Sequence, residues 1–435
     1  MPKFHVHSFG CRASQADGAA IETALTGKGF ESTAQPADAG LVILNSCTVT
    51  AAADEDLRHM VHRVRRQSHQ ARILVTGCYA QRAPEEIAAL DGVTWVVGNS
   101  HKMSVPDLVA ASFEIASEPY HGQILTGDIF DQREFLSAPV EDALGDRTRP
   151  NLKIQDGCNN RCSFCIIPFV RGRSRSAPVS QVVDQVRSLA ARYREVVLSG
   201  INLGRWGREP GSSLRLVDLV RLLLDETPVE RLRLSSVEPM DFSDALLELM
   251  AASPRIAPHV HAPLQSGSDA VLRRMHRKYR PRHYEDRVRK ARAWMPDAAI
   301  GADVMVGFPG ETDAEFEESR QFIASLPFTY LHVFTYSERP GTPAAANPSQ
   351  VPMPVRKERN RILRELAAAA NREFRGRMVG KRLSAVTLDR EALSGNYLRI
   401  ALSAPRPANQ LLELEIGGLT AAGLAEKSLL PVLPC

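Results

Sequence analysis

The stretch "DGCNNRCSFCIIPFVRGRSRS", Asp156 to Ser176, places Cys158, Cys162 and Cys165 in one short loop with spacing C-x3-C-x2-C and carries four arginines in the same segment. A structural zinc site wants four protein ligands in a closed tetrahedron, and this loop supplies three, all sulfur. A cubane iron-sulfur cluster takes one cysteine per iron, so three thiolates leave one iron open to a substrate or cofactor. A zinc knuckle completed by a distant residue, or a set of buried free thiols, is the competing reading; free cysteines rarely cluster in this way.

Working outward from that loop, short apolar runs alternate with helical periodicity. "NLKIQDGC" reads as the strand that delivers the cysteines. "REVVLSGIN", "RLRLSSVEP", "PHVHAPLQSG", "AAIGADVMVGFPG" and "YLHVFTYS" read as five more strands, with amphipathic helices between them. Six strands with crossover helices predict a partial (β/α)6 barrel whose site opens at the carboxyl ends of its strands. Upstream, "KFHVHSFGC", "LVILNSC", "ARILVTGC" and "VTWVVGN" alternate with helices and predict an open parallel α/β sheet. Cys11, Cys47 and Cys78 each follow the end of one of these strands. Separated by 36 and 31 residues in the chain, they are expected to converge at the carboxyl edge, where open α/β sheets bind ligands. Coincidental placement of three core cysteines is the competing reading.

The segment from Gln123 to Arg149 loses the periodicity and reads as a connection. After it and the central unit, "RKERNRILRELAAAANREF" reads as an amphipathic helix, and "RLSAVTLDREALSGNYLRIALSA" alternates with period two, as a small β-barrel would. Between Arg356 and Arg382 lie ten Lys or Arg and three acidic residues, an excess of seven positive charges in a chain whose net charge is +4. This concentration is expected of a nucleic-acid-binding appendage; a solvated helix face is the alternative. The sheet-borne pairs His5/His7 and His259/His261 read as strand residues rather than ligands, and Cys435 as a free thiol.

At 435 residues, 44% hydrophobic and 24% charged, the chain is expected to form several soluble domains. Seven cysteines are too few and too unevenly placed for a disulfide framework. No apolar run has the length of a membrane span and the first residues carry no apolar leader, so a cytoplasmic protein with no membrane partner is expected.

C-x3-C-x2-C is the signature of the radical S-adenosylmethionine (SAM) superfamily. With a second cysteine triple upstream and a terminal β-domain, the whole chain resembles the radical SAM methylthiotransferases. The resemblance implies residues 1–122 as the methylthiotransferase domain, 123–149 as linker, 150–355 as the radical SAM domain, 356–376 as a basic helical connector and 377–435 as a TRAM barrel that binds RNA. It implies two four-iron, four-sulfur clusters, one on Cys11, Cys47 and Cys78 and one, the SAM-cleaving cluster, on Cys158, Cys162 and Cys165. Gly200, Asn202, Ser235, Ser236, Glu238, Gln265, Ser266, Asp303 and Gly307 match segments of the family core and are the implied SAM contacts.

"NSCTVTAAAD", "TGCYAQ" and "MHRKY" resemble the branch that modifies C2 of N6-threonylcarbamoyladenosine beside the tRNA anticodon. "FGCRASQADGAA" departs from that branch's usual GCK-V-N-Q pattern while retaining the cysteine. A tRNA anticodon loop, a flavodoxin- or ferredoxin-type electron donor and a sulfur source are the implied partners. Isopentenyladenosine in tRNA or a ribosomal-protein aspartate are the alternative substrates, and a non-catalytic iron-sulfur RNA-binding protein the remote one.

Overall fold

The computed structural model describes residues 2–114, 122–133, 135 and 148–428. Cys435 and residues 136–147 lie outside the described residues. The N-terminal unit is a six-stranded, all-parallel sheet of β1 (Lys3–Ser8), β2 (Glu31–Ser32), β3 (Leu41–Ser46), β4 (Arg72–Gly77), β5 (Val93–Gly98) and β6 (Gln123–Leu125), in the order β2-β1-β3-β4-β5-β6. Its central strand β3 is buried throughout, as a strand covered by helices on both faces must be. Helices α1 (Arg12–Gly27), α2 (Ala51–Gln67), α3 (Cys78–Arg82), α4 (Pro84–Ala88) and α5 (Val105–Glu114) supply the cover.

One sequence expectation is corrected here. Residues 123–125 belong to the sheet, with Trp95 in register with Gln123, and are not part of a free connection. Three residues are too few to show a periodicity; the strand exists because β5 offers it an unpaired edge.

The central unit carries the six expected strands. They are β7 (Asn151–Asp156), β9 (Glu195–Gly200), β10 (Arg231–Leu234), β11 (His259–His261), β12 (Ala299–Val306) and β13 (Tyr330–Thr335), with a short antiparallel β8 (Arg175–Ser176) beside β7. They form two sheets, β10-β9-β7-β8 and β11-β12-β13, bridged in parallel at Leu232 and Ile256. Helices α6 (Ile167–Arg171), α7 (Val179–Ala190), α8 (Leu216–Glu226), α9 (Asp244–Ala252), α10 (Asp269–Arg274), α11 (Pro281–Trp294) and α12 (Asp313–Ser325) follow the strands, and one continuous apolar core lies between helices and sheet. Helix α13 (Met353–Gly376) then packs along this unit and leads into a closed barrel of β14 (Arg382–Thr387), β15 (Glu391–Ser394), β16 (Arg399–Ala401), β17 (Leu411–Leu419) and β18 (Leu424–Glu426). Among the described residues no helix is long and apolar enough to cross a membrane.

Candidate functional site

The adjacent strands β1, β3 and β4 end at the same edge, and each delivers a cysteine there. Cys47 and Cys78 immediately follow β3 and β4, and Cys11 caps the start of α1 just beyond β1. The approach is close enough to demand glycine at two points. A Cβ on Gly10 (φ +84°) would fall 2.6 Å from the Cys47 side chain, and one on Gly77 (φ +100°) would fall 2.4 Å from the Ser46 carbonyl oxygen. Cys47 and Cys78 are buried and Cys11 is exposed. Burial, with Cys78 and Cys11 beside it, pushes the Cys47 thiol up to about 12. Three converging cysteine sulfurs are a soft donor set that fits a cationic metal centre, whose binding removes the thiol protons.

The central triple sits in the loop after β7. Cys158 donates its backbone N–H to the Gly172 carbonyl (3.0 Å), and Cys165 donates to the Cys162 carbonyl (3.1 Å), which folds the loop back on itself. Its sulfurs receive donors from three directions. The Asn160 N–H (3.4 Å) and Asn202 Nδ2 (3.6 Å) reach Cys158, and Arg277 Nη1 reaches Cys162 (3.4 Å). Burial, with Cys162 beside it, pushes the Cys165 thiol up to about 12. N–H···S bonds from fixed donors are a means by which proteins tune iron-sulfur centres.

Among the predicted SAM contacts, Asn202 and Glu238 are tied to this loop. Asn202 bonds Cys158 directly, and Glu238 pairs at 2.5 Å with Arg277. Asn202 Oδ1 is buried without a protein partner, as an acceptor awaiting a ligand N–H would be. A cavity of about 410 Å³ lined by Asn159, Asn160, Arg173, Asn202 and Lys278 adjoins it, room for a small-molecule cofactor. Gly200 packs on Gln155, where a Cβ would meet that side chain at 2.9 Å. Ser235 is half-buried and Ser236 exposed just past β10. Ser266 accepts from the Ser268 N–H, and Gln265 adopts φ +66° in the same turn. The Gly307 N–H donates to Glu311 while Arg356 fills the space a Cβ would need. Asp303 faces His261, at 3.2 Å, rather than the cysteine loop.

Sequence reading missed the residues that join the two triples. Arg171, on α6, is fully buried and donates from Nε to Cys78 Sγ (3.2 Å), so the segment holding the central cysteines also touches the N-terminal set. The same guanidinium pairs with Asp17 and Asp156, both at 3.0 Å. Lys102 pairs with Asp17 (2.8 Å), and Lys153 pairs with both carboxylates. Burial alone would raise the Asp17 carboxyl, but Lys102, Lys153 and Arg171 hold it well below the usual range. Asn99 completes the joint by donating to Cys78 Sγ (3.5 Å) and to the Val170 carbonyl (2.7 Å). The available signal was Asp17 itself, the one charged residue among the buried residues of α1.

Comparison with known proteins agrees with this architecture. Residues 3–98 match an uncharacterised protein family, UPF0004, and residues 152–323 match the radical SAM superfamily. The chain is 34% identical over 416 residues to the threonylcarbamoyladenosine tRNA methylthiotransferase MtaB of Aquifex aeolicus, covering 95% of this chain and 100% of that one. It is 38% identical to the Bacillus subtilis protein of the same name, over 85% of this chain and 81% of that one. It is 34% identical to the tRNA-2-methylthio-N(6)-dimethylallyladenosine synthase of Maricaulis maris, over 88% and 85%. Among solved structures, the radical SAM methyltransferase TsrM of Kitasatospora setae shares the fold, with a TM-score of 0.60 at 17% identity over 79% of this chain and 74% of that one. With full-length relatives at this identity, two cysteine triples on successive α/β units and a closed terminal barrel that fits a TRAM domain, the chain belongs to the radical SAM methylthiotransferase family.

Proposed function

We propose that this protein is the tRNA methylthiotransferase that acts at C2 of N6-threonylcarbamoyladenosine next to the anticodon. The observation that carries the reading is the joint at Arg171, which sets two three-cysteine sites against each other inside one molecule. In this reading Cys11, Cys47 and Cys78 hold an auxiliary four-iron, four-sulfur cluster, and Cys158, Cys162 and Cys165 hold the cluster that binds SAM. Bound there, these groups supply the one-electron chemistry and the sulfur and methyl groups that are transferred.

The chain's own residues bind, orient and shield. Asn202 and Arg277 donate to the central sulfurs, and Arg277 is itself fixed by Glu238 and Tyr279. Asn202 Oδ1 offers an acceptor to the SAM amino group. Substitution of the threonylcarbamoyl relatives' substrate for this chain's own rests on the similarity over nearly the full length of both chains. An anticodon-loop base is single-stranded and can be splayed into a pocket, so no helix need be melted to reach C2. A flavodoxin- or ferredoxin-type donor supplies electrons, a separate sulfur source rebuilds the site, and the reaction takes place in the cytoplasm, with tRNA.

The test is incubation of the reduced, reconstituted enzyme with SAM, a sulfur source and tRNA carrying either threonylcarbamoyladenosine or isopentenyladenosine, or with ribosomal protein, followed by mass spectrometry. A methylthio group on threonylcarbamoyladenosine is expected. Product on isopentenyladenosine or an aspartate, with none on threonylcarbamoyladenosine, would overturn the substrate and leave the chemistry standing.

A further inference from the structure

Strands β11, β12 and β13 are apolar on one face and carry a run of polar residues on the other, which continues past Asp303 and His332 as the paired Met305 and Phe334. Val260, Ile300, Ala302, Val304 and Val333 enter the core under the helices. The alternate positions His259, His261, Asp303, Tyr330 and His332 share the opposite face, since side chains alternate along a strand and Asp303 is in register with His332. They form one connected row. Tyr330 Oη lies 2.7 Å from His259 Nε2 and 2.8 Å from His261 Nδ1, and His261 Nε2 lies 3.2 Å from Asp303 Oδ1. The polar atoms of His261, Asp303 and His332 all fall within 4.8 Å of one another. Gly301 permits the row, because a Cβ there would lie 2.0 Å from the Tyr330 ring.

One end of the row is closed and the other open. At the closed end Tyr397 of the terminal barrel stacks on His259 (4.8 Å between centroids) and accepts a bond from Arg12, the residue after Cys11. At the open end His332 is exposed, and Phe334, next along the same face, is 48% exposed. Beyond Phe334 a cavity of about 380 Å³ is lined by that ring, Lys357, Arg364 and, from the N-terminal unit, Thr50 and Ala52 at the start of α2. Ala51, the first residue of α2, donates its N–H to the Ser337 hydroxyl, just past β13. The closed end of the row is thus tied to the residue after Cys11, and the β13 edge beyond its open end meets the start of α2, four residues after Cys47.

His259 and His261 both reach the Tyr330 hydroxyl, whereas Asp303 and His332 present an acceptor and an imidazole at the open end. A carbamoyl-threonine substituent carries what this pair complements: carboxylate and carbonyl oxygens for an imidazole N–H, and a hydroxyl and amide N–H for a carboxylate. A dimethylallyl substituent has none of these and would cover His332 and the Asp303 oxygen that His261 does not engage without replacing their hydrogen bonds to water, which a polar site rejects. The relatives include enzymes named for each substituent. Resting on the tRNA-adenosine reading above, we propose that the Asp303–His332 end of this row receives the polar N6 substituent of the modified adenine, with His332 discriminating it from an apolar one. This assigns Asp303, held by His261, to the substrate rather than to SAM.

The test uses reconstituted holoenzyme and anticodon stem-loop RNAs bearing threonylcarbamoyladenosine, isopentenyladenosine or plain adenosine. Wild type should bind the first most tightly. In His332→Leu and Asp303→Asn that preference should fall roughly 10- to 100-fold, the loss of one or two hydrogen bonds to a charged group, with KM rising more than kcat falls. His332→Gln, which keeps a donor, should recover part of it. An unchanged preference, equal losses for all three RNAs, or a stoichiometric divalent metal beyond cluster iron that Asp303→Asn abolishes would each overturn the assignment. A wild type with no preference for threonylcarbamoyladenosine would instead remove the substrate reading itself.

Discussion

The Arg171 guanidinium carries a positive charge between Cys78 Sγ on one side and the Asp17 and Asp156 carboxylates on the other. Adding an electron to a cluster on Cys78 is easier with a cation and an N–H donor at the sulfur, so loss of both should make reduction harder. Arg171→Gln, in protein whose central cysteines are replaced by alanine, is expected to lower the midpoint potential of the remaining cluster by roughly 60 mV, a tenfold change in a one-electron equilibrium. Arg171→Lys should fall between. EPR-monitored redox titration at unchanged iron content is the measurement, and an unmoved potential would refute the role. Nothing in "RCSFCIIPFVRGRSR" separates its four arginines. The fold does: Arg171 and Arg175 are buried, while Arg161 and Arg173 are exposed. That difference depends on which domain packs against α6, a fact no local pattern contains.

At the scale of elements, α13 shows how a charge excess misleads. Arg356 and Arg359 turn inward. Arg356 donates to the carbonyls of Tyr336 (2.9 Å) and Val351 (2.6 Å), and Arg359 pairs with Glu311 (2.7 Å) and Asp313 (2.6 Å). Arg361 is shared between Glu358 and Glu365. The helix is thus a strut against β13 as well as a basic surface, which corrects the reading of the whole +7 segment as an appendage for RNA. Lys357 and Arg364 are the exposed cations that line the cavity beside Phe334. Changing both to Glu is expected to weaken tRNA binding roughly tenfold or more near 0.1 M salt and to reduce the salt slope by about 2, one per phosphate contact. Filter binding across a salt series checks this; an unchanged slope would exclude phosphate contacts here. Helical periodicity marks α13 as amphipathic, but it could not say that Arg356 and Arg359 bury against carbonyls and carboxylates while Leu363, Ala367 and Phe374 bury further along the helix.

At the scale of the whole molecule, buried charge joins the central unit to the terminal barrel. Glu195, fully buried on β9, pairs with Arg231 and Arg233 at 2.7 Å, and these two donate onward to barrel carbonyls at Ser384, Ser394 and Gly395. Burial would raise the Glu195 carboxyl, but Arg233 and Arg231 outweigh it and bring it down to about 2. A carboxyl depressed on folding stabilises above its unfolded value near 4.5 and loses that contribution as pH falls toward 2. Its share is about 3 kcal/mol at neutral pH. Glu195→Gln should therefore lower stability at pH 7 by a similar amount and flatten the acid limb, measured by denaturant unfolding between pH 7 and pH 3; an unchanged acid limb would show that other groups govern it.

By itself the sequence determined the alternating strands and helices, the six strands of the central unit, the strand-end positions of Cys11, Cys47 and Cys78 and the strand that delivers the loop of Cys158, Cys162 and Cys165. These are local properties: strand–helix alternation implies parallel sheets, and parallel sheets bring every strand's carboxyl end to one edge. Only the tertiary structure decided that Arg171 reaches Cys78, that Asp303 stands between two histidines, that β6 joins the first sheet and that two buried arginines dock the barrel. Asp17 and Arg171 are 154 positions apart, and their pairing has no period or spacing to read. It is stable because both lose water when the domains pack, and a charge without water must find its opposite.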